Sequence, residues 1–154
     1  MRISLDVDDT LVCHSAEALH EPPLRFLRWF SCEPLRQGTP ALIAELRRRG
    51  CEIWIYTSSL RTPFHIRLWL LRYGVRVDGI VNEDRHRQEL LRRRFPHSPS
   101  KYPPAFGIDL HVDDSPGVLM EGQKYGFRAL VVETNDRHWT QKILEAVDRL
   151  KPNP

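Results

Sequence analysis

The sequence predicts an α/β protein: a three-layer, doubly wound, mostly parallel sheet with helices between its strands. Three observations lead there. Short runs rich in β-forming residues alternate with segments of helical spacing. Glycines stand where those helices should stop. The runs end on acids or hydroxyls, where an open parallel sheet binds its ligands. The chain has 154 residues, enough for one domain with a real core and too few for two. The whole of 1–154 is therefore read as a single domain.

The elements follow in order. Ile3 to Val7 reads as a short buried strand. Pro40 to Arg49 has helical spacing through Leu42, Ile43 and Leu46, with a proline near its first turn and Gly50 past its end. Cys51 to Thr57 (CEIWIYT) is a second strand. Thr62-Pro63 caps and opens a helix to about Tyr73, stopped by Gly74, with Phe64, Leu68 and Leu71 on one face. Gly79 to Val81 is a third strand, and Ile108 to Val112 a fourth, running into Asp113-Asp114. Ser115-Pro116 starts a helix to about Tyr125, stopped by Gly126. Arg128 to Val132 is a fifth strand, and Asn135 or Asp136 caps a last helix ending near Leu150. Two stretches fit neither period: Cys13 to Thr39, and the Pro-rich Phe95 to Phe106, read as a loop.

Composition narrows the class. Apolar residues make up 41% and charged residues 28%, as in soluble globular proteins. No stretch approaches the roughly 18 apolar residues of a membrane span, and the N-terminus lacks the pattern of a signal peptide. Cytoplasmic residence and no membrane partner are the expectation. The three cysteines, Cys13, Cys32 and Cys51, suit reduced thiols better than a disulfide framework. Cys13, His14, His20 and Cys32 match no compact zinc spacing. Net charge is +3, clumped in Arg47–Arg49 and in Arg85, Arg87, Arg92, Arg93 and Arg94. Such clumps bind polyanions or, more commonly, are solvated helix faces and ends.

The chemistry-bearing residues gather at the predicted strand ends. The first strand leads to Asp6, Asp8, Asp9 and Thr10; the second to Thr57-Ser58-Ser59; the fourth to Asp113-Asp114, with Lys101 in the loop before it. Acids from two strands meeting at one rim form a hard oxygen cage suited to Mg²⁺. A carboxylate beside a metal-bound phosphate can act as nucleophile. A second carboxyl group two residues on can protonate a leaving oxygen. The Thr57 hydroxyl and the Lys101 ammonium can hold the transferring phosphoryl group.

This arrangement resembles the haloacid dehalogenase superfamily of phosphohydrolases. Its first motif is Asp6-Val7-Asp8-Asp9-Thr10 after an apolar strand, its second IWIYT ending at Thr57, its third Lys101, and its fourth HVDD with Asp113 and Asp114. The resemblance implies a HAD-like, Rossmann-type fold and a Mg²⁺-dependent phosphomonoester hydrolase working through an aspartyl-phosphate. Asp6 would be the nucleophile and Asp8 the general acid/base. Thr57 and Lys101 would bind phosphate, and Thr10 would steady the turn; Ser58 is read as either a further phosphate donor or a cap of its turn. The metal would be held by the Asp6 side chain, the Asp8 carbonyl and a fourth-motif acid, Asp114 in preference to Asp113. Asp9 stands where relatives often have Gly or Glu, and is read as a turn residue. His111, alternating with Asp109 and Asp113, is read as a satisfied core histidine.

The two gaps between motifs are too short for a full cap domain with its own core. The chain thus resembles the capless branch, with 12–39 as a short flap at the entrance. DVDDTLVCHS and YTSSLRTPFHIRLWLLRYG are similar to the small C-terminal-domain phosphatases, and phosphatase domains of polynucleotide kinases share the skeleton. The implied partner is a phosphorylated substrate: a phosphoprotein, a nucleic-acid end or a small metabolite. In the flap, Phe26, Trp29 and Phe30 interleave with Arg25 and Arg28, a pattern that stacks bases or simply packs on the sheet. Two other classes stay open: a nucleic-acid or protein binding module with little turnover, and a phosphotransferase.

Overall fold

The structure, a computed structural model, describes residues 1–14, 19–24, 33–93, 95 and 97–150. Five strands form one all-parallel sheet in the order β3-β2-β1-β4-β5. They are β1 (Arg2–Leu5), β2 (Glu52–Tyr56), β3 (Gly79–Val81), β4 (Leu110–Asp113) and β5 (Ala129–Val131). Helices α1 (Thr39–Arg48), α2 (Pro63–Leu71), α3 (Glu83–Arg93), α4 (Pro116–Tyr125) and α5 (Trp139–Leu150) complete it. The α/β, parallel, Rossmann-type expectation therefore holds. The chain moves outward from β1 to β3, then returns to β4 on the other side. The order reverses between β1 and β4, which makes their carboxyl ends the switch point of the sheet.

Parallel register places Ile3 beside Ile53 and Leu110, and Leu5 beside Ile55 and Val112. One face is thereby wholly apolar. It merges with Leu42, Ile43 and Leu46 of α1, Ile66, Trp69 and Leu70 of α2, and Ile143 and Val147 of α5 in one buried cluster. The alternate positions, Ser4, Trp54 and His111, stand side by side on the opposite face. A small cluster of Tyr56, Val81 and Ile108 packs there with Trp54 and Phe106. Gly79 is required by this packing: a Cβ would lie 2.3 Å from the Trp54 ring.

Caps follow local chemistry. Thr62 accepts from the His65 N–H, and Ser115 from the Gly117 N–H, each with proline in the first turn. Gly126 ends α4 in the left-handed region at φ 72°.

Four sequence expectations need correction. In α2 the stripe of Phe64, Leu68 and Leu71 faces outward, with Phe64 75% exposed, while Ile66, Trp69 and Leu70 are buried. Both stripes have helical spacing. The buried one carries Trp69, whose indole N–H reaches the Glu33 carbonyl at 2.9 Å. The segment Phe95–Phe106 is not loop throughout, because Pro103–Phe106 forms a 3₁₀ turn. The last helix begins at Trp139, later than a cap at Asn135 or Asp136 requires. Helix α3 appears in the sequence only as a basic cluster, because His86 is its one buried residue and gives no apolar period. In the flap, Arg25, Phe26, Arg28, Trp29, Phe30 and Cys32 lie outside the described residues, as does Arg94.

Candidate active site

The rim of the switch point is an open cleft of about 370 Å³. Asp6, Asp8, Thr57, Ser58, Lys101, Asp113 and Asp114 all line it, so the topology brings every sequence-nominated site residue to one place.

Asp6 directly follows β1, and its N–H continues the ladder to the Val112 carbonyl at 2.9 Å. Its side chain meets a buried cation. The Lys101 ammonium donates to Asp6 Oδ1 at 2.6 Å, the Tyr56 carbonyl at 2.9 Å and Asp113 Oδ2 at 3.3 Å. An ammonium has three donors, and all three are used. Lys101 is only 3% exposed, which such pairing alone makes tolerable.

The Pro-rich loop that brings Lys101 inward is pinned at several points. Ser100 donates through its N–H and hydroxyl to Glu121 of α4 at 2.8 and 2.7 Å. The Tyr102 N–H donates to the Tyr56 hydroxyl at 2.8 Å, and the Tyr125 hydroxyl to the His97 carbonyl at 2.9 Å. Phe95, Tyr102 and Tyr125 meet edge to face. Lys124 of α4 lies against the Tyr125 ring.

Asp113 ends β4 and is fully engaged. Oδ1 accepts from the Ser115 N–H at 2.9 Å. Oδ2 accepts from His111 Nε2 at 3.0 Å as well as from Lys101. Since a carboxylate only accepts, Nε2 of His111 carries the hydrogen, and Nδ1 accepts from the Ser4 hydroxyl at 2.8 Å. Burial pushes the imidazole down to about 4, against the pull of Asp113. His111 is thus a fully buried histidine with both nitrogens satisfied.

The charges at the rim are unevenly matched. Burial raises the Asp6 carboxyl to about 6; Lys101 pulls it down and Asp113 pushes it up further. Asp114 is also raised, by burial first and then by Asp113. Burial acts upward on Asp113 too, but the His111 hydrogen bond and the Lys101 charge outweigh it and hold that carboxyl well below its ordinary range. Carboxylate oxygens of Asp6, Asp113 and Asp114 lie within 4.8 Å of one another, the one such group among the described residues. Asp113 is committed to protein donors, whereas Asp114 is partly exposed.

Asp8 stands apart from that trio, and its carboxylate is gripped by Arg61 through two hydrogen bonds of 2.9 and 2.8 Å. Asp9 adopts φ 55°, the left-handed turn conformation short polar residues tolerate. The Leu11 and Val12 N–H groups both donate to the Val7 carbonyl, closing the turn. Thr10 is buried, with its hydroxyl oxygen unpartnered among the described residues. Thr57 is 1% exposed, and its oxygen accepts from the Ser59 N–H at 3.1 Å, leaving its own hydrogen to give. Ser58 is exposed in the cleft.

Sequence reasoning missed Arg61 and its second partner Glu33. The signal was present: a cation four residues past Thr57, at a rim already crowded with acids.

No protein-family model matches the chain, and no curated protein does. Among solved structures, D,D-heptose 1,7-bisphosphate phosphatase from Burkholderia thailandensis is similar at 21% identity. The alignment covers 94% of this chain and 84% of that one, with a TM-score of 0.42.

Proposed function

We propose that the protein is a Mg²⁺-dependent phosphomonoesterase of the haloacid dehalogenase type, working through an aspartyl-phosphate on Asp6. The observation that carries this reading is the buried Asp6–Lys101–Asp113 ion-pair group, set beside Asp114, Thr57 and Ser58 in one cleft at the sheet's switch point. The residues fit the metal. Asp6, Asp113 and Asp114 offer only hard oxygens; burial first, and the Asp113 charge after it, raise Asp6 and Asp114, and a bound dication would favour their ionised forms. Asp6 and Asp114 would hold it with the Asp8 carbonyl, and bound Mg²⁺ would supply charge stabilisation to the phosphoryl oxygens.

In this reading the Asp6 carboxylate attacks phosphorus and the bond from phosphorus to the ester oxygen breaks. Asp8 gives its proton to the departing oxygen. Asp8 then takes a proton from water, which attacks the phosphorus, releasing phosphate and restoring Asp6. The Lys101 charge and the Thr57 and Ser58 hydroxyls steady the transferring oxygens. Asp113 holds Lys101 in line. The cleft is open, and a neighbouring hollow of about 510 Å³ shares Ser58 and Ser100 with it. Leu90, Leu91, Phe95 and Arg87 line that hollow, which gives room for the body of a phosphorylated substrate, macromolecular ones included.

A screen of phosphate monoesters, beginning with p-nitrophenyl phosphate, tests the reading. Phosphate release should require Mg²⁺, stop with EDTA and vanish in Asp6→Asn. Full metal-dependent turnover by Asp6→Asn would sink the nucleophile assignment. A phosphotransferase would show itself as phosphate moved to an added alcohol acceptor. A binding module predicts salt-sensitive polyanion binding that survives loss of Asp6. Many arginines it would use already have acidic partners: Arg47 with Asp78, Arg48 and Arg49 with Glu45, Arg87 with Glu83, and Arg92 and Arg93 with Glu89.

A further inference from the structure

Arg61 belongs to none of the motifs. Its guanidinium nevertheless spans two carboxylates at the edge of the cleft. Nη1 donates to Asp8 Oδ2 at 2.9 Å and Nη2 to Asp8 Oδ1 at 2.8 Å. Nε donates to Glu33 Oε2 at 3.1 Å and Nη2 to Glu33 Oε1 at 2.6 Å. The planar fork is matched edge to edge by both acids, a geometry that lysine cannot reproduce.

The fork is itself anchored. The Arg61 carbonyl accepts from Asn82 Nδ2 at 3.2 Å, and its N–H donates to Ser59 Oγ at 3.4 Å. The Glu33 carbonyl accepts from Trp69 Nε1 at 2.9 Å and from the Tyr73 hydroxyl at 3.0 Å. Trp69 and Tyr73 belong to the apolar core. A continuous path therefore runs from that core through Glu33 and Arg61 to the Asp8 carboxylate.

Asp8 needs such support. It is exposed, and the next residue, Asp9, sits in a left-handed turn. An exposed aspartate has freely available rotamers, and a proton donor misplaced by about 1 Å can lose on the order of 100-fold in rate. An exposed ion pair adds little stability, so the value of this arrangement lies in geometry.

We propose that Arg61 is the positioning residue for Asp8, with Glu33 setting the position of Arg61. This rests on the reading of Asp8 as the group that protonates the leaving oxygen. The role has a chemical signature. p-Nitrophenolate leaves readily without a proton, whereas an alkoxide does not. Loss of Asp8's aim must therefore hurt alkyl esters more than activated aryl esters.

The test measures kcat and KM of wild type, Arg61→Met, Arg61→Lys and Glu33→Gln with Mg²⁺, on p-nitrophenyl phosphate and on glycerol 2-phosphate. Thermal unfolding confirms that each variant is folded, and Glu33→Gln serves if Arg61→Met is not. Arg61→Met should lose at least about tenfold more kcat/KM, which reports the step that expels the leaving group, on the alkyl ester than on the aryl ester, within the 10²–10⁴-fold that general acids supply. Arg61→Lys should show the same bias, since it keeps charge and loses the fork, and Glu33→Gln a smaller one. Combined with Asp8→Asn, the Arg61→Met change should add no further bias. Equal losses on both esters, with KM raised, would overturn the proposal and make Arg61 a direct phosphate ligand. Unchanged kinetics on both esters would overturn it by leaving only a surface ion pair. A wild type inactive on both esters, or a fully active Asp6→Asn, would instead bring down the phosphatase reading and this proposal with it.

Discussion

The two faces of the sheet are built on opposite terms. One carries Ile3, Leu5, Ile53, Ile55, Leu110 and Val112, closed by buried apolar residues of α1, α2 and α5. The other carries Ser4, Tyr56, His111 and, at its edge, Asp6 and Asp113, with Lys101 reaching in from the Pro-rich loop. The first face is held by area removed from water. The second is held by hydrogen bonds and ion pairs that must all be satisfied, because each unpaired member would be costly in a buried setting. The shifted titrating groups Asp6, Asp113 and His111 all sit on the second face, where buried charged and polar groups act on one another.

Substitutions should therefore separate activity from stability according to face. Asp6→Asn has the largest effect. If Asp6 is the nucleophile, as proposed, its removal should lower kcat on the order of 10⁵-fold, read from phosphate release in the folded variant. Stability should move the other way. Folded Asp6 titrates near 6 against an ordinary 3.8, so the folded chain holds that proton more tightly than the unfolded one. Stability is lost as pH rises through about 6, so the stability of the metal-free variant relative to wild type should be higher at pH 8 than at pH 4. Urea unfolding with EDTA at pH 4 and pH 8 checks this; an equal difference at both values would refute it.

On the apolar face, Leu46→Ala should do the reverse. Leu46 is fully buried in α1, and its truncation should cost about 2–5 kcal/mol while kcat per folded molecule stays within twofold or so. A matching fall in kcat would show that the two faces are coupled.

How much of this was legible follows the same division. The apolar face announces itself through alternation and glycine stops, so β3 was placed to the residue and the other strands within a few. The acids that follow β1 and end β4 were legible in combination: each alone is a common turn former, but a parallel sheet brings both strand ends to one rim. The rest was not, because it depends on long-range partners. The inward face of α2 was decided by Trp69 finding Glu33, thirty-six residues away. Helix α3 has no apolar period because its contact with the sheet is polar: His86 Nδ1 lies 2.6 Å from the Tyr56 hydroxyl. Arg61 gained meaning only once Asp8 and Glu33 stood beside it.

His111→Gln probes the polar face at intermediate size. It removes the rigid link between Ser4 and Asp113, leaving buried acceptors poorly matched, and should cost about 1–3 kcal/mol. Denaturant unfolding reads this cost. Asp113, having lost its main hydrogen bond, should also hold Lys101 less firmly, so KM for phosphate esters should rise. A variant as stable as wild type would mean that the network tolerates rearrangement.

Ser4→Ala is the smallest and most discriminating change. Ser4 is fully buried, and among the described residues its hydroxyl donates to His111 Nδ1 alone, at 2.8 Å. Its loss leaves one imidazole nitrogen unpaired, at a cost of about 1 kcal/mol by denaturant unfolding. The carboxylate still accepts from Nε2, so the tautomer is kept and kcat should fall by no more than a few-fold. If Ser4→Ala instead lowered activity as much as His111→Gln, the hydroxyl would be steering the imidazole, and through it Asp113 and Lys101. The polar face would then act as one connected support for the cleft, rather than as a set of separately satisfied pairs.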